Sequence, residues 1–263
     1  MRSKISMKAK KSFGQHFLKN SHLTRNMAGI IASENAHERI LEVGPGKGVL
    51  TRELIKIALD FKAVELDRDM INYLLSEKII DSDQLIQADF LRLDLPQVFH
   101  GHPFTLVGNY PYNISSQIVL KMIHHHDLIP FSLGMFQLEM ARRITGSVNT
   151  RDYGSLSILT QLFYDAKIVY KVKPGDFSPP PRVHSAVVKF IRKDEPPSIA
   201  VNILEKYLRK AFGHRRKKIS NNLNAPLELE VLKQMGMADL RAEQIPMFDM
   251  VRLIQKLEDN TAS

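Results

Sequence analysis

The segment Asn109-Tyr110-Pro111-Tyr112 places an amide, a proline and aromatic rings side by side. An aromatic amine is a poor nucleophile because its lone pair is delocalised into the ring, and two oxygen acceptors for its hydrogens would favour a pyramidal, attacking nitrogen. The side-chain oxygen of Asn109 and the carbonyl of Pro111 suit those positions, and proline geometry would hold both in one orientation. Tyr112 offers a flat face on which a base can stack. The segment indicates chemistry on a base amine, with an ordinary turn as the alternative.

A glycine-rich segment, Glu42-Val43-Gly44-Pro45-Gly46-Lys47-Gly48, follows a β-type run and precedes a helical pattern. Glycines at such a junction let bare backbone approach a ligand at the start of a helix. A Walker loop is excluded because Gly48, rather than serine or threonine, follows Lys47. A dinucleotide fingerprint is disfavoured because Val49 occupies its third glycine position. The segment therefore indicates a different cofactor site, and a tight strand-to-helix turn is the alternative.

Two acidic residues come at the ends of the next two predicted strands. Glu65 could accept both hydroxyls of a ribose, and Asp89 could accept hydrogens from an exocyclic adenine amine. Either residue alone is equally consistent with a surface acid at a strand end. A glycine loop and two acids thus follow three successive predicted strands. This arrangement predicts a pocket for a nucleoside attached to a small group.

These residues need a parallel sheet to bring them together, because the carboxyl ends of parallel strands meet at one edge. β-rich runs alternate with helical ones from about residue 39 to 110, which is typical of a parallel α/β sheet. We predict seven strands, with the last pair antiparallel, at Arg39–Val43, Phe61–Leu66, Gln84–Ala88, Phe104–Gly108, Ser132–Phe136, Lys167–Val172 and Ala186–Ile191. The 3.6-residue periodicity predicts helices at Val49–Ala58, Arg68–Ser76, Ser115–His124 and Ser155–Phe163.

The pattern changes at Lys193-Asp194-Glu195-Pro196-Pro197, a charged segment with two prolines that cannot continue a strand. Only helical patterns follow, at Ile199–Phe212, Arg216–Asn222, Glu228–Met235 and Met247–Leu257. We therefore expect two domains, an α/β domain over residues 1–193 and a small all-helical domain over residues 194–263.

The composition favours a polyanionic partner. The chain has 263 residues and no cysteine, which removes disulfides, thiolate nucleophiles and cysteine-bound zinc. Lys and Arg exceed Asp and Glu by 37 to 28, a net charge of +9, and the charge is concentrated in Arg2–Lys11 and Arg215–Lys218. A solvated tail and a solvated helix face are the alternatives for these two runs. No apolar run approaches the roughly 18 residues that span a bilayer, and the start of the chain lacks the pattern of a secretory signal.

The motifs, taken in order, resemble the S-adenosylmethionine-dependent ribosomal RNA adenine N6-dimethyltransferase family. They are Phe13–Leu18, Glu42–Gly48, Glu65-Leu66-Asp67, Asp89, Asn109–Ser115, Phe177–Ser185 and His214–Lys218. The resemblance implies a Rossmann-like seven-stranded methyltransferase domain, with methyl-donor contacts from His16, Leu18, Gly44, Gly46, Glu65, Asp89 and Asn109. It further implies that Asn109, Pro111, Tyr112 and Phe177 form the catalytic set, in which Tyr112 and Phe177 enclose the target adenine. Arg215, Arg216, Lys217 and Lys218 are then expected to contact rRNA.

The same resemblance implies methylation of N6 of two adjacent adenines near the 3′ end of 16S rRNA, within the small ribosomal subunit. The expected protein is a cytoplasmic monomer that uses S-adenosylmethionine and no metal. The family more usually has leucine at the position of Tyr110 and often asparagine at that of His16. The alternatives are a large-subunit methylase of the erythromycin-resistance type and a non-catalytic ribosome-assembly factor. The triple-proline segment and the Arg215–Lys218 run favour the small-subunit branch.

Overall fold

The computed structural model describes residues 16–34, 36 and 38–261. The basic run Arg2–Lys11 and the first residues of the Phe13–Leu18 motif lie outside this range. The chain divides into two compact units. The first holds the described residues up to Ala141 together with Lys167–Arg192, and the second holds Arg142–Ala166 together with those from Lys193 onward. None of the described helices is long and apolar enough to cross a membrane.

The main sheet of the structure has seven strands, which are β2 (Arg39–Val43), β3 (Asp60–Glu65), β4 (Leu85–Gln87), β5 (Thr105–Asn109), β6 (Phe131–Gln137), β7 (Tyr164–Val172) and β9 (Ser185–Arg192). Their order across the sheet is β4-β3-β2-β5-β6-β9-β7. The pairs from β4 through β6 are parallel, and β9 runs antiparallel to β6. All seven predicted strands are therefore present, and the α/β fold is confirmed.

Strand β2 shows why this sheet forms. Ile40 and Leu41 point to opposite faces and are both fully buried, as in a parallel sheet covered on both sides. Parallel pairing on either side, with β3 and with β5, makes β2 the central element of the first four strands. The loops that follow β2, β3, β4 and β5 consequently open at one edge of the sheet.

The helices of the first unit connect these strands. They are α1 (Ser21–Ser33), α2 (Thr51–Leu54), α3 (Arg68–Ser76), α4 (Leu95–Val98), α5 (Ser115–His124) and the start of α6 (Leu138–Ile144). Helix α1 was not predicted, although Asn20 caps it by accepting from the N–H groups of His22 and Leu23. The predicted helix Val49–Ala58 is wrong in length, because only its middle turn, α2, is α-helical.

A separate two-stranded sheet fixes the beginning of the described chain. Strand β1 (Phe17–Leu18) pairs antiparallel with β8 (Phe177–Ser178), and Leu18 lies opposite Phe177. Beside it, Lys19 N–H donates to the carbonyl of Asp176 at 2.9 Å, and Asn20 Nδ2 donates to the Asp176 carboxylate at 2.9 Å. The segment that carries His16 is thereby attached to a part of the chain that is distant in sequence.

The second unit contains α7 (Ser155–Phe163), α8 (Val201–Ala211), α9 (Pro226–Gln234) and α10 (Met247–Thr261). Tyr153 lies in the segment Arg142–Ala166 and donates its hydroxyl to the carbonyl of Ile245 at 3.1 Å. This contact illustrates why that segment groups with the C-terminal helices. The division into domains 1–193 and 194–263 stays a prediction, and the compact units differ from it in the placement of Arg142–Ala166.

The predicted helix Arg216–Asn222 is wrong. Arg216 and Lys217 lie in a turn, and only a short 3₁₀ helix, Ile219–Asn221, follows them. Lys218 forms an antiparallel bridge with Arg241, and Ile219 N–H donates to the carbonyl of Leu240 at 2.7 Å. These pairings use backbone groups that a continuous α-helix would need, so the chain changes direction there.

Candidate functional site

A cavity of about 300 Å³ lies in the first unit at the carboxyl ends of β2, β3, β4 and β5. It is large enough for a small organic ligand. All seven residues expected to contact the methyl donor line it, namely His16, Leu18, Gly44, Gly46, Glu65, Asp89 and Asn109. The structure therefore brings together residues that come from β1 and from four successive strand ends.

The glycine loop after β2 lets the backbone form one wall of this cavity. Gly44 and Gly46 have φ values of +68° and +55°, a left-handed conformation that favours glycine. A Cβ atom at Gly46 would lie 3.2 Å from the ring of Phe17, so a side chain there would crowd β1. The main-chain surface at Gly46 is thus required for the approach of β1 to the loop.

Glu65 is held in place by backbone hydrogen bonds. Its carboxylate accepts from the N–H groups of Leu66 and Asp67 at 2.9 and 3.0 Å, and from that of Gly46 at 3.2 Å. Burial raises the pKa of Glu65, and these hydrogen bonds oppose the rise. The result is a nearly buried, oriented acceptor at the cavity wall.

A second buried acid, Glu42, lines the same cavity and was missed as a site residue. Its side chain is 1% exposed, and among the described residues its Oε2 atom has no hydrogen-bond partner. Burial raises the pKa of Glu42 to about 8, against the opposing effect of the Thr51 hydroxyl. An acid between the apolar residues Leu41 and Val43 was the available signal. An orphaned carboxylate atom beside a cavity fits a ligand that carries hydrogen-bond donors.

Asp89 holds the turn after β4. Its carboxylate accepts from Leu91 N–H at 2.9 Å and caps the 3₁₀ helix Phe90–Arg92. Lys121 of α5 reaches the same turn and donates to the carbonyl groups of Leu91 and Leu93 at 3.0 and 2.5 Å. Sequence reasoning missed Lys121, because nothing in a single helical lysine indicates which carbonyl groups it will reach.

The amide of Asn109 has a defined orientation. Its Nδ2 donates to the backbone carbonyl of His16 at 2.9 Å, which leaves Oδ1 as the acceptor atom of this side chain. The carbonyl of Pro111, expected to be the second acceptor, already accepts from Ile114 N–H at 3.2 Å. A carbonyl oxygen has two lone pairs, so Pro111 retains one for a ligand.

Tyr112 lines the cavity beside Asn109, and contacts on both its ring and its hydroxyl define its position. The imidazole of His16 stacks on its ring with centroids 5.5 Å apart and an interplanar angle of 28°. The hydroxyl shares a 2.8 Å hydrogen bond with the Ser185 hydroxyl, and burial raises the pKa of Tyr112. Ser185, at the start of β9, is a supporting residue that sequence reasoning did not single out.

Phe177 is not brought into the cavity lining. It is 1% exposed and packs in the hydrophobic core with Leu18 and other buried residues. The cause is its place in β8 opposite Leu18, which faces the ring into the core. The structure therefore does not pair Phe177 with Tyr112, and a role for it in enclosing a base stays a prediction.

The basic run lies in the second unit, and its four side chains differ in their contacts. Arg215 Nη2 donates to the carbonyl of Tyr153 at 2.6 Å, and Lys218 pairs with Asp239 at 2.6 Å. The ion pair lowers the pKa of Asp239. Arg216 and Lys217 are exposed, and their side chains have no hydrogen bond or ion pair within the described part of the chain.

The run His124-His125-His126 lies at and after the end of α5. His125 Nδ1 is 2.9 Å from the carbonyl of Lys121, and His126 Nδ1 is 3.1 Å from that of Ile123. Over the described residues, no group of three or more histidines and acids is arranged to hold a metal ion.

Comparison with known proteins gives a consistent result. A model of the family "ribosomal RNA adenine dimethylase" matches residues 6–259. Two relatives are named ribosomal RNA small subunit methyltransferase A. The protein from Flavobacterium johnsoniae is 36% identical over 253 residues, covering 96% of this chain and 97% of that protein. The one from Bacteroides fragilis is 37% identical over 254 residues, covering 96% and 93%.

Two solved structures are similar over almost the whole chain. A dimethyladenosine transferase from Plasmodium falciparum superimposes with a TM-score of 0.79 at 25% identity, covering 94% of this chain and 98% of that one. The 23S rRNA methyltransferase ErmE gives a TM-score of 0.63 at 29% identity, covering 92% and 99%. Both share the Rossmann-like methyltransferase fold.

Proposed function

Because the chain belongs to the ribosomal RNA adenine dimethylase family, we propose that it transfers methyl groups from S-adenosylmethionine to N6 of two adjacent adenines near the 3′ end of 16S rRNA. The observation that carries this proposal is the oriented amide of Asn109, whose Nδ2 is engaged by His16 so that Oδ1 remains as an acceptor. An acceptor at this place is what a weakly nucleophilic base amine needs.

The proposed substrate is the rRNA of the small ribosomal subunit. The relatives from Flavobacterium and Bacteroides are named for the small subunit, whereas ErmE is named for 23S rRNA and is the more distant of these in sequence. We place the reaction in the cytoplasm, where subunits are assembled, and propose that a monomer performs it. No metal takes part in the proposed reaction.

The cavity residues fit the methyl donor. Bound S-adenosylmethionine supplies a methyl group on a positively charged sulfur. Glu65 is oriented to accept ribose hydroxyls, and Asp89 is placed at the end of β4 to accept from an adenine amine. The orphaned Oε2 atom of Glu42 offers an acceptor at the same cavity. The glycine backbone at Gly44 and Gly46 leaves room for a ligand against the loop.

The segment after β5 binds and orients the target amine. Asn109 Oδ1 and the Pro111 carbonyl accept its two hydrogens and orient the nitrogen lone pair. Tyr112 supplies a stacking face for the base, on the side that His16 does not cover. After methyl transfer the nitrogen is cationic and acidic, so it releases a proton to water without a strong general base. Positioning and hydrogen-bond acceptance supply the catalysis.

The decisive experiment is methyl transfer from labelled S-adenosylmethionine to unmodified small subunits, followed by mapping of the labelled nucleotides. We expect label on two adjacent adenines near the 3′ end. Asn109→Ala should lower the single-turnover rate by a factor on the order of 10²–10³, the loss seen when one transition-state hydrogen bond is removed. Asn202→Ala, which changes an exposed asparagine of α8, is the matched control.

Label on large subunits alone would assign the protein to the erythromycin-resistance type. No label on either subunit, from a protein that binds S-adenosylmethionine, would contradict the proposed activity. A wild-type rate in Asn109→Ala would contradict the role given to its amide.

A further inference from the structure

Tyr110, between the two proposed amine acceptors, is almost completely buried. It is 2% exposed and borders the cavity, as do Asn109 before it and Pro111 after it. Its backbone N–H donates to the carbonyl of Met135 in β6 at 3.2 Å. All three residues therefore border the cavity, and Tyr110 is in addition anchored in the sheet.

The ring of Tyr110 lies on two glycines that are partners in the sheet. Gly108 of β5 pairs with Gly134 of β6 in parallel register. A Cβ at Gly108 would lie 2.7 Å from Cε1 and 2.8 Å from Cδ1 of the ring, and one at Gly134 would overlap its opposite edge at Cε2. Both separations are far below van der Waals contact. The ring therefore occupies space that exists because neither strand has a side chain there.

The hydroxyl end of the same side chain reaches the preceding pair of the two strands. The Tyr110 hydroxyl lies 3.3 Å from the Ser132 hydroxyl and 3.5 Å from the Leu106 carbonyl, and Leu106 and Ser132 are also register partners. Phe136 closes one side, edge-on to the ring with centroids 5.1 Å apart. The side chain thus runs back along β5 and β6 and is held at its ring and at its tip.

We propose that Tyr110 is a positioning residue for the methyl transfer. The glycine pair Gly108–Gly134, called the glycine seat below, holds the Tyr110 ring and thereby determines the positions of Asn109 and Pro111. The inference rests on the proposed function. One residue separates the two acceptors, so a shift of the Tyr110 ring moves both oxygens together. Reactions that depend on acceptor placement are sensitive to displacements of about 1 Å, which can cost on the order of a hundredfold in rate.

Because the Tyr110 ring and the glycine seat match in size, we predict that substitutions in the two partners compensate for each other. Gly134→Ala places a methyl group in the volume of the Tyr110 ring and 2.8 Å from Cε2 of Phe136, so it should displace both rings. Tyr110→Leu removes most of the ring and leaves a void over the glycines. In the double variant the alanine methyl fills part of that void, so each substitution compensates for the other. Gly108 is unsuitable for this test, because its Cβ would also lie 2.7 Å from the Val43 carbonyl.

The test measures single-turnover methyl transfer to small subunits, S-adenosylmethionine affinity by calorimetry, and midpoint of thermal unfolding for wild type and the three variants. We expect Gly134→Ala to lower the rate by about a hundredfold and Tyr110→Leu by about tenfold. Donor affinity should fall by no more than about threefold, because Asn109 is one of seven expected donor contacts and the other six are not displaced. The double variant should be faster and more thermostable than Gly134→Ala alone. Tyr110→Phe, which keeps the ring, should remain within about threefold of the wild-type rate.

If the losses of rate and of unfolding midpoint in the double variant equal or exceed the sum of the single losses, the size match between the ring and the glycine seat is wrong. An unchanged rate in Gly134→Ala would contradict the positioning role. A rate loss accompanied by equal loss of donor affinity would assign Tyr110 a structural role only and also overturn it. Wild-type protein that transfers no methyl group contradicts the proposed function instead. The unfolding midpoints then still test the size match between the Tyr110 ring and the glycine seat, since compensation in stability does not depend on turnover.

Discussion

At the scale of single residues, two acids in one cavity have opposite surroundings. Glu65 receives three backbone N–H groups, whereas one oxygen of Glu42 has no partner among the described residues. A buried carboxylate with an unpaired oxygen is costly, so burial favours the protonated form of Glu42. The two residues are therefore suited to different ligand groups, Glu65 to hydroxyls and Glu42 to a group that brings positive charge.

Glu42→Gln should alter how stability depends on pH. The pKa of Glu42 is raised from 4.5 to about 8 in the folded protein, so between these values the folded state keeps a proton that the unfolded chain releases. The stability that this group contributes is therefore present at low pH and is lost as the pH rises towards 8. Glutamine does not titrate, so the free energy of unfolding of Glu42→Gln should increase relative to that of wild type as the pH rises from about 4.5 to about 8.

Urea unfolding at several pH values measures this difference, with Glu77→Gln as a control on an exposed acid of the same unit. A difference between Glu42→Gln and wild type that is independent of pH would refute the assignment. S-adenosylmethionine affinity gives a second reading. If the donor brings positive charge to Glu42, affinity of the wild type should rise with pH through the same range, and that of Glu42→Gln should not.

The sequence identified the residues that line the cavity better than the residues that orient them. Gly44, Glu65, Asp89 and Asn109 were found because strand ends and glycines are visible in a sequence, and His16 was found through the resemblance of its motif to the family. Glu42, Lys121 and Ser185 were not, because their importance lies in burial or in partners far along the chain. Phe177 shows the converse, since its motif does not reveal that β8 faces it into the core.

At the scale of elements, one lysine connects a helix to the turn that carries Asp89. Lys121 of α5 donates to two carbonyl groups of the segment after β4, and its ammonium lies 5.4 Å from the centroid of the Phe90 ring. Partial burial lowers the pKa of Lys121, while Asp89 and Asp94 oppose that shift. The turn is thus held from α5 as well as by its own cap.

Lys121→Met should loosen this turn while keeping most of the apolar side-chain volume. We expect a loss of about 1 kcal/mol in the free energy of unfolding, at the low end for hydrogen bonds from a charged group because the ammonium is partly solvated. S-adenosylmethionine affinity should fall several-fold, since the turn that carries Asp89 is then held by its own cap alone. Calorimetry and urea unfolding measure both, and Lys56→Met, on an exposed lysine, is the control. Unchanged donor affinity in Lys121→Met would show that the turn is held without it.

Strands were easier to predict than short helices, for a physical reason. The inner strands of the sheet are runs of mostly buried residues with a partner strand on each side, as in β2, so their apolar pattern is visible in a short stretch of sequence. The helix at Val49–Ala58 was overestimated because apolar spacing does not show where a helix ends. The Arg216–Asn222 helix was wrong because the bridge between Lys218 and Arg241 depends on residues distant in sequence.

At the scale of the whole molecule, the net charge of +9 favours approach to a polyanion such as rRNA. The basic run adds a local contribution whose members differ. Arg215 and Lys218 are engaged within the second unit, while Arg216 and Lys217 are exposed and without side-chain partners among the described residues. We infer that the middle pair contacts phosphates and that the outer pair holds the turn in shape.

The pairwise variants Arg216→Ala/Lys217→Ala and Arg215→Ala/Lys218→Ala remove equal charge and so control for each other. The first should reduce the slope of log affinity against log salt, for binding to small subunits, by about 1.4–1.8, because each phosphate contact contributes about 0.7–0.9. The second should chiefly lower the unfolding midpoint. Binding titrations at several salt concentrations test this, and equal slopes for the two variants would contradict the division of roles.

The pairing of β1 with β8 has a consequence for how the protein is made. Within the described part of the chain, Phe17 and Leu18 have Ser178 and Phe177 as their strand partners, and the His16 carbonyl that orients the Asn109 amide belongs to the same N-terminal segment. A chain emerging from a ribosome folds as its segments become available. The N-terminal wall of the cavity therefore stays open until Ser178 has left the exit tunnel, so this part of the site is completed late in synthesis although it is encoded first.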